Sequence, residues 1–180
     1  RIEAGSYILA TMATKGRLKL NNFNPKDLAL PLKLYKGMGL KIKKLSNSSY
    51  EIYCKTLKPI KKISTKEFPG YPTDLQAQLI ATQLKSGLKS KVVENIFENR
   101  FIHIPELRRF GANLSIKGNT VTIDKTSNLL GAEVMATDIR ASFSLIIAAM
   151  MSKGKTVINR IYHLDRGYED FDLKLKKCGV

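Results

Sequence analysis

The sequence has no tryptophan, only two cysteines and only two histidines in 180 residues. Cys54 and Cys178 lie far apart and in no CxxC spacing. Neither a disulfide framework nor a thiolate metal site is therefore expected, and a reducing, cytoplasmic setting fits. His103 and His163 stand in no HExxH-like ligand pattern and read first as packing or surface residues. A glycine-rich phosphate loop and a GxSxG elbow are also missing. No apolar run approaches the ~20 residues that span a bilayer. The opening Arg1-Ile2-Glu3-Ala4-Gly5-Ser6 lacks the basic head and apolar stretch of a secretory signal. It also lacks an initiator Met, as a piece cut from a longer protein would.

Acidic residues are scarce: 15 Asp and Glu face 31 Lys and Arg, a net charge of +16. Such an excess invites a polyanion partner. The cations are mostly lysines in short scattered clusters, such as 41–44 and 58–62, and no aromatic residues interleave with them as a stacking platform. A solvated lysine surface is the simpler reading, and no nucleic-acid partner is expected. Apolar content of 43% and charged content of 26% are those of an ordinary soluble globular protein. The length suits one domain with a sizeable core.

What is present is a weak repeat. Apolar segments rich in small residues open three units, at 4–10, 75–81 and 141–149. Each is followed by a Lys/Gly turn (Gly16, Gly87, Gly154), a short run with strand character (18–20, 91–93, 156–158), and a helical segment ending in Met38-Gly39, Phe110-Gly111 or Cys178-Gly179. Those closing glycines sit where a helix end needs positive φ. Cys178 thus takes the packing slot of Met38 and Phe110. Pro105 suits the first turn of a helix, and Lys117-Gly118-Asn119 between 114–116 and 120–123 predicts a hairpin. Segment 142–151 is apolar around nearly its whole circumference, which requires burial on all sides. The expected fold is α/β with first helices inside, Ala77, Ala81, Ala148 and Ala149 in close helix contact, and sheets outside. Repeats are expected at about 1–66, 67–136 and 137–180, the last incomplete.

Three stretches carry a family resemblance. They are 68–78 (FPGYPTDLQAQ), 96–107 (IFENRFIHIPEL), and the pair 135–142 (MATDIRAS) with 160–168 (RIYHLDRGY). With Arg1-Ile2-Glu3-Ala4-Gly5 they resemble the UDP-N-acetylglucosamine enolpyruvyl transferases along the whole chain. The sister family that makes enolpyruvyl-shikimate phosphate shares the fold without these stretches in this form. The resemblance implies one of two similar domains, each an inside-out α/β barrel of three repeats, with UDP-N-acetylglucosamine and phosphoenolpyruvate bound in the cleft between them. It implies no metal or organic cofactor. The second domain, with its reactive-cysteine loop, is absent from this chain, and neither Cys54 nor Cys178 matches that cysteine.

Asp74, at the start of a helix, reads by itself as a carboxylate stabilised by the helix N-terminus. The resemblance makes it the group that touches the reacting sugar hydroxyl, whose proton a nearby carboxylate can take. Ile96 would border the sugar nucleotide; alone it is an apolar strand residue. Phosphoenolpyruvate carries a carboxylate and a phosphate, both suited to guanidinium forks. Arg140 and Arg166 match the arginines that hold it, with Arg100 and Asp138 supporting the cleft. The plainer reading of these arginines is ion pairing with Asp138, Glu98 or Asp165. Two rivals stay open: an enolpyruvyl transferase for another acceptor, and a basic nucleic-acid-binding domain.

Overall fold

The computed structural model describes residues 1–180 throughout. Its elements run α1 (Ile2–Ala13), β1 (Arg17–Leu20), α2 (Ala29–Gly37), β2 (Lys41–Lys44), β3 (Tyr50–Tyr53), β4 (Lys62–Ser64), α3 (Gln76–Gln83) and β5 (Ser90–Val93). Then follow α4 (Ile104–Arg109), β6 (Leu114–Lys117), β7 (Thr120–Ile123), β8 (Glu133–Met135), α5 (Ile139–Met151), β9 (Val157–Asn159), α6 (Tyr162–Asp165) and α7 (Phe171–Lys177). No helix is long and apolar enough to cross a membrane.

The apolar segments that cannot leave a face in water form the centre. Helices α1, α3 and α5 pack on one another, with α3 against both of its neighbours. Every residue of α3 is buried, and so are Ala141 to Ala148 of α5. Small residues make the close approach possible: a Cβ added at Gly5 would lie 2.6 Å from Leu75 Cδ1. Ala77, Ala81 and Ala148 are buried as expected, whereas Ala149, in the last turn of α5, is half-buried. Buried threonine and serine side chains in these helices bond back to their own backbone. Thr82 donates to the Gln78 carbonyl at 2.8 Å and Ser144 to the Ala141 carbonyl at 2.5 Å, so neither hydroxyl is stranded.

The sheets lie outside. The first is antiparallel in the order β1-β3-β2, the second runs β4-β5-β7-β6, and the third is the pair β8-β9. Strand alternation turns Val92, Val121 and Ile123 inward and Lys91 outward. The expected hairpin is present, with Lys117 opposite Thr120. Two linking strands had no counterpart in the sequence reading. β4 pairs in parallel with β5, and β8 in parallel with β9. A parallel pair needs a long crossover, and here the buried helices α3 and α5 supply it.

Gly39, Gly111 and Gly179 have φ of 112°, 84° and 85°, as the helix ends require. The equivalence of their preceding residues is only partial. Met38 and Phe110 are buried, but Cys178 is exposed. The packing slot expected for Cys178 is thus not filled.

Ala81 has no room to grow, so Ala81→Leu should cost about 1–3 kcal/mol through overpacking. Ala149→Leu, with solvent beside it, should cost clearly less. Urea denaturation of both variants checks the order; equal losses would contradict this packing of the central helices.

Candidate active-site wall

The inner helices bring their N-terminal ends to one place. Arg1 is the N-cap of α1, and Asp138 that of α5. A short 3-10 turn, Thr73–Leu75, leads into α3. Arg1, Thr73 and Asp74 line one small cavity of about 110 Å³, together with Lys66, Phe68 and Ile96. Helix N-termini present unpaired N–H groups and positive dipole ends, which favour anions.

Asp74 is the centre of the cluster. Its Oδ1 accepts from Arg100 Nη2 at 3.0 Å and also pairs with Arg140 Nε. The side chains of Asp74, Arg100 and Arg140 are 29%, 17% and 43% exposed, so the group faces solvent at a half-open surface. The turn bearing Asp74 is clamped from below. Tyr71 is buried, and its hydroxyl lies 2.8 Å from that of Tyr35 and donates to the Leu75 carbonyl at 3.2 Å. Burial pushes both phenols above their ordinary pKa, so they act as neutral clamps.

Three expectations need correction. Asp74 makes no capping hydrogen bond to the backbone of α3 or of the turn before it, because the arginines occupy its carboxylate. The capping residue is Asp138, whose Oδ1 accepts from the Arg140 and Ala141 amides at 2.7 Å each. It supports the cluster by fixing the first turn of α5, not by pairing with an arginine. Neither Glu98 nor Asp165 forms the ion pairs considered for them. Ile96 lies in a bend beyond the end of β5, not within a strand.

Arg166 is exposed at the end of α6 and its side chain has no hydrogen-bond or ion-pair partner. Its loop is nevertheless tied down. Tyr168 is buried, stacks on Phe143 at 4.7 Å between ring centroids, and meets Ser6 Oγ at 2.8 Å and Gln78 Nε2 at 3.2 Å. His163 tilts against Tyr162 on α6. No group of His, Cys, Asp and Glu side chains is arranged to hold a metal ion.

A model of the EPSP synthase (3-phosphoshikimate 1-carboxyvinyltransferase) family matches residues 1–175. The chain belongs to the EPSP synthase family. Within it, this chain is 50% identical over 182 residues to the UDP-N-acetylglucosamine 1-carboxyvinyltransferase of Pelagibacter ubique (strain HTCC1062). It is 45% identical over 182 residues to that of Rhodopseudomonas palustris (strain HaA2). All of this chain aligns in both cases but only 43% and 42% of the two relatives, so it spans less than half their length. Solved structures show the fold. The enolpyruvyl transferase NikO from Streptomyces tendae superposes with a TM-score of 0.85 at 24% identity, over 98% of this chain and 42% of that one. EPSP synthase from Acinetobacter baumannii does so with 0.73 at 15% identity, over 98% and 45%. The α/β arrangement of buried helices and outer sheets is therefore that of the enolpyruvyl transferases.

One feature of this EPSP synthase family member escaped sequence reasoning: Glu94, a buried carboxylate behind Asp74 and Ile96. Its only signal was an acidic residue closing the apolar run Val92-Val93. His103, read from the sequence as a packing or surface residue, is a packing one: it is 1% exposed, with Nε2 unpartnered. Burial lowers its pKa from 6.5 to about 4, with Asp138 opposing the shift and Arg100 assisting it. The unfolded chain binds this proton near the ordinary value and the folded protein only near the lowered one. Stability is thus full above that ordinary value and falls as pH drops toward the lowered one. By pH 5 the loss should be about 2 kcal/mol. His103→Gln should flatten the pH dependence by that amount between about pH 7.5 and pH 5 in urea titrations; an unchanged slope would contradict it.

Proposed function

We propose that this chain forms one wall of the active-site cleft of a UDP-N-acetylglucosamine 1-carboxyvinyltransferase. That enzyme transfers the enolpyruvyl group of phosphoenolpyruvate to the 3′-hydroxyl of the sugar nucleotide, toward peptidoglycan in the cytoplasm. The observation that carries this reading is the Asp74 carboxylate, held between Arg100 and Arg140 where the inner helices converge. Identity of 50% and 45% over the whole chain to relatives bearing that name supports the acceptor. The opposite wall belongs to a second domain, the partner this surface closes upon.

The roles follow from charge. Phosphoenolpyruvate brings a carboxylate and a phosphate, and Arg140 and Arg166 offer guanidinium groups that stay charged at any working pH. Arg166 is free of protein partners, whereas Arg140 must exchange Asp74 for substrate. Arg100, the more buried of Asp74's partners, holds the carboxylate in place. Asp74 then accepts the proton of the attacking hydroxyl as its oxygen bonds to the central carbon of phosphoenolpyruvate, whose double-bond electrons take up a proton at the methylene carbon. Loss of phosphate from the resulting tetrahedral intermediate, with loss of a proton from the methyl carbon so formed, restores the double bond and completes the transfer. Ile96, which lines the same small cavity as Asp74, borders the sugar nucleotide.

Asp74→Asn keeps the volume and removes the proton acceptor. In the complete enzyme kcat should fall ~10²–10⁴-fold. Ion pairs this exposed contribute little stability, so the melt should change by no more than about 1 kcal/mol. Near-normal phosphate release by a folded variant would remove the mechanistic claim. The chain by itself should release no phosphate, because approximation of two bound reactants accounts for ~7–11 kcal/mol of such barriers and one wall cannot supply it. Turnover by residues 1–180 alone at the rate of the complete enzyme would overturn the shared-cleft reading.

A further inference from the structure

Glu94 is 3% exposed and no lysine or arginine forms an ion pair with it. A buried carboxylate without a counter-ion is costly, and hydrogen bonds must compensate it. Here four donors converge. Oε1 accepts from Thr65 Oγ1 at 2.8 Å, from the Ile96 amide at 2.9 Å and from the Phe97 amide at 3.3 Å. Oε2 accepts from Thr73 Oγ1 at 2.8 Å. The Asn95 amide donates to Thr65 Oγ1 at 2.8 Å, which closes the network. The Glu94 amide itself donates to the Asn119 carbonyl at 2.8 Å, tying the residue to the β6–β7 hairpin.

These donors come from three segments, of which the first and last continue the paired strands β4 and β5. Thr65 follows β4, Thr73 immediately precedes Asp74, and Ile96 and Phe97 lie in the loop that runs on to Arg100. Asp74 and Ile96 face the same small cavity. One carboxylate thus joins the turn that carries Asp74 to the loop that carries Ile96. An apolar side chain could fill this space at lower desolvation cost, but it could not hold two loop amides and a threonine hydroxyl at a set separation.

We propose that Glu94 is a positioning residue that sets the distance between the Asp74 turn and the Ile96 loop, and so the fit of the sugar nucleotide. The proposal rests on the functional reading above. It is tested in the complete enzyme with Glu94→Ala, Thr73→Val and Glu94→Gln, measuring KM for each substrate and kcat. Displacements on the scale of an ångström cost up to about 100-fold. Glu94→Ala should therefore raise KM for UDP-N-acetylglucosamine about 10- to 100-fold, with a much smaller change for phosphoenolpyruvate. Thr73→Val, which removes only the Oε2 link, should raise it less. Glu94→Gln keeps an acceptor for both amides and should return KM to within a few-fold of wild type.

A merely structural role would lower the active fraction, and hence kcat, at unchanged KM. Glu94→Ala and Thr73→Val enzymes with wild-type KM for the sugar nucleotide overturn the proposal while leaving the functional reading intact. If Glu94→Ala fails to fold, Thr73→Val decides alone by the same criterion. A wild-type enzyme that does not use UDP-N-acetylglucosamine overturns the functional reading, and this proposal with it.

Discussion

The carboxylate of Asp74 between the guanidinium groups of Arg100 and Arg140 is the interaction on which the site depends. It exists because three helices pack closely enough for their N-terminal ends to meet. Close packing in turn requires small residues at the contacts, with no Cβ at Gly5 and only methyl groups at Ala81 and Ala148. The ion pairs add little to stability, since all their members reach solvent. Their value is geometric. Asp74 faces two guanidinium groups, while Asp138 occupies the amides at the start of α5 and offsets the positive end of that helix.

Much of the fold could be read along the chain because its signals are local. The all-round apolarity of 142–151 demanded burial, and α5 is buried for most of its length. Lys117-Gly118-Asn119 closed a hairpin through its own turn chemistry. The glycines at 39, 111 and 179 took the left-handed backbone that the helix ends need. The linking strands β4 and β8 were different. Each is a three-residue strand whose partner lies beyond a helix, so no short-range pattern marks it. Cys178 shows the same limit from the other direction. Its place at a helix end was legible, but its exposure depends on what packs over it.

The candidate site divides along similar lines. Motif resemblance picked out Asp74, Ile96, Arg100, Asp138, Arg140 and Arg166 as members of one region, and the structure gathers the first five around the inner helix ends. It could not say which carboxylate caps and which pairs, because both lie at the entrance to a helix. Asp138 turned out to bond the amides of α5, and Asp74 the arginines. Glu94 was invisible for a plainer reason: its donors come from Thr65, Thr73, Ile96 and Phe97, which only the folded chain brings together. The large lysine excess is a separate matter. Arg17, Lys19, Lys41 and Lys43 occupy exposed positions of the first outer sheet, with Glu51 and Tyr53 between them in register. The cations that pair with Asp74 are arginines outside that sheet.

Family membership leaves the acceptor as the point on which everything turns, since the matching family model is named for 3-phosphoshikimate and the close relatives for UDP-N-acetylglucosamine. The most direct measurement is phosphate release by the complete enzyme supplied with phosphoenolpyruvate and either acceptor in turn. Release with UDP-N-acetylglucosamine and none with 3-phosphoshikimate is the expected result. Release with 3-phosphoshikimate and none with the sugar nucleotide would contradict the assignment of this surface to the sugar-nucleotide enzyme.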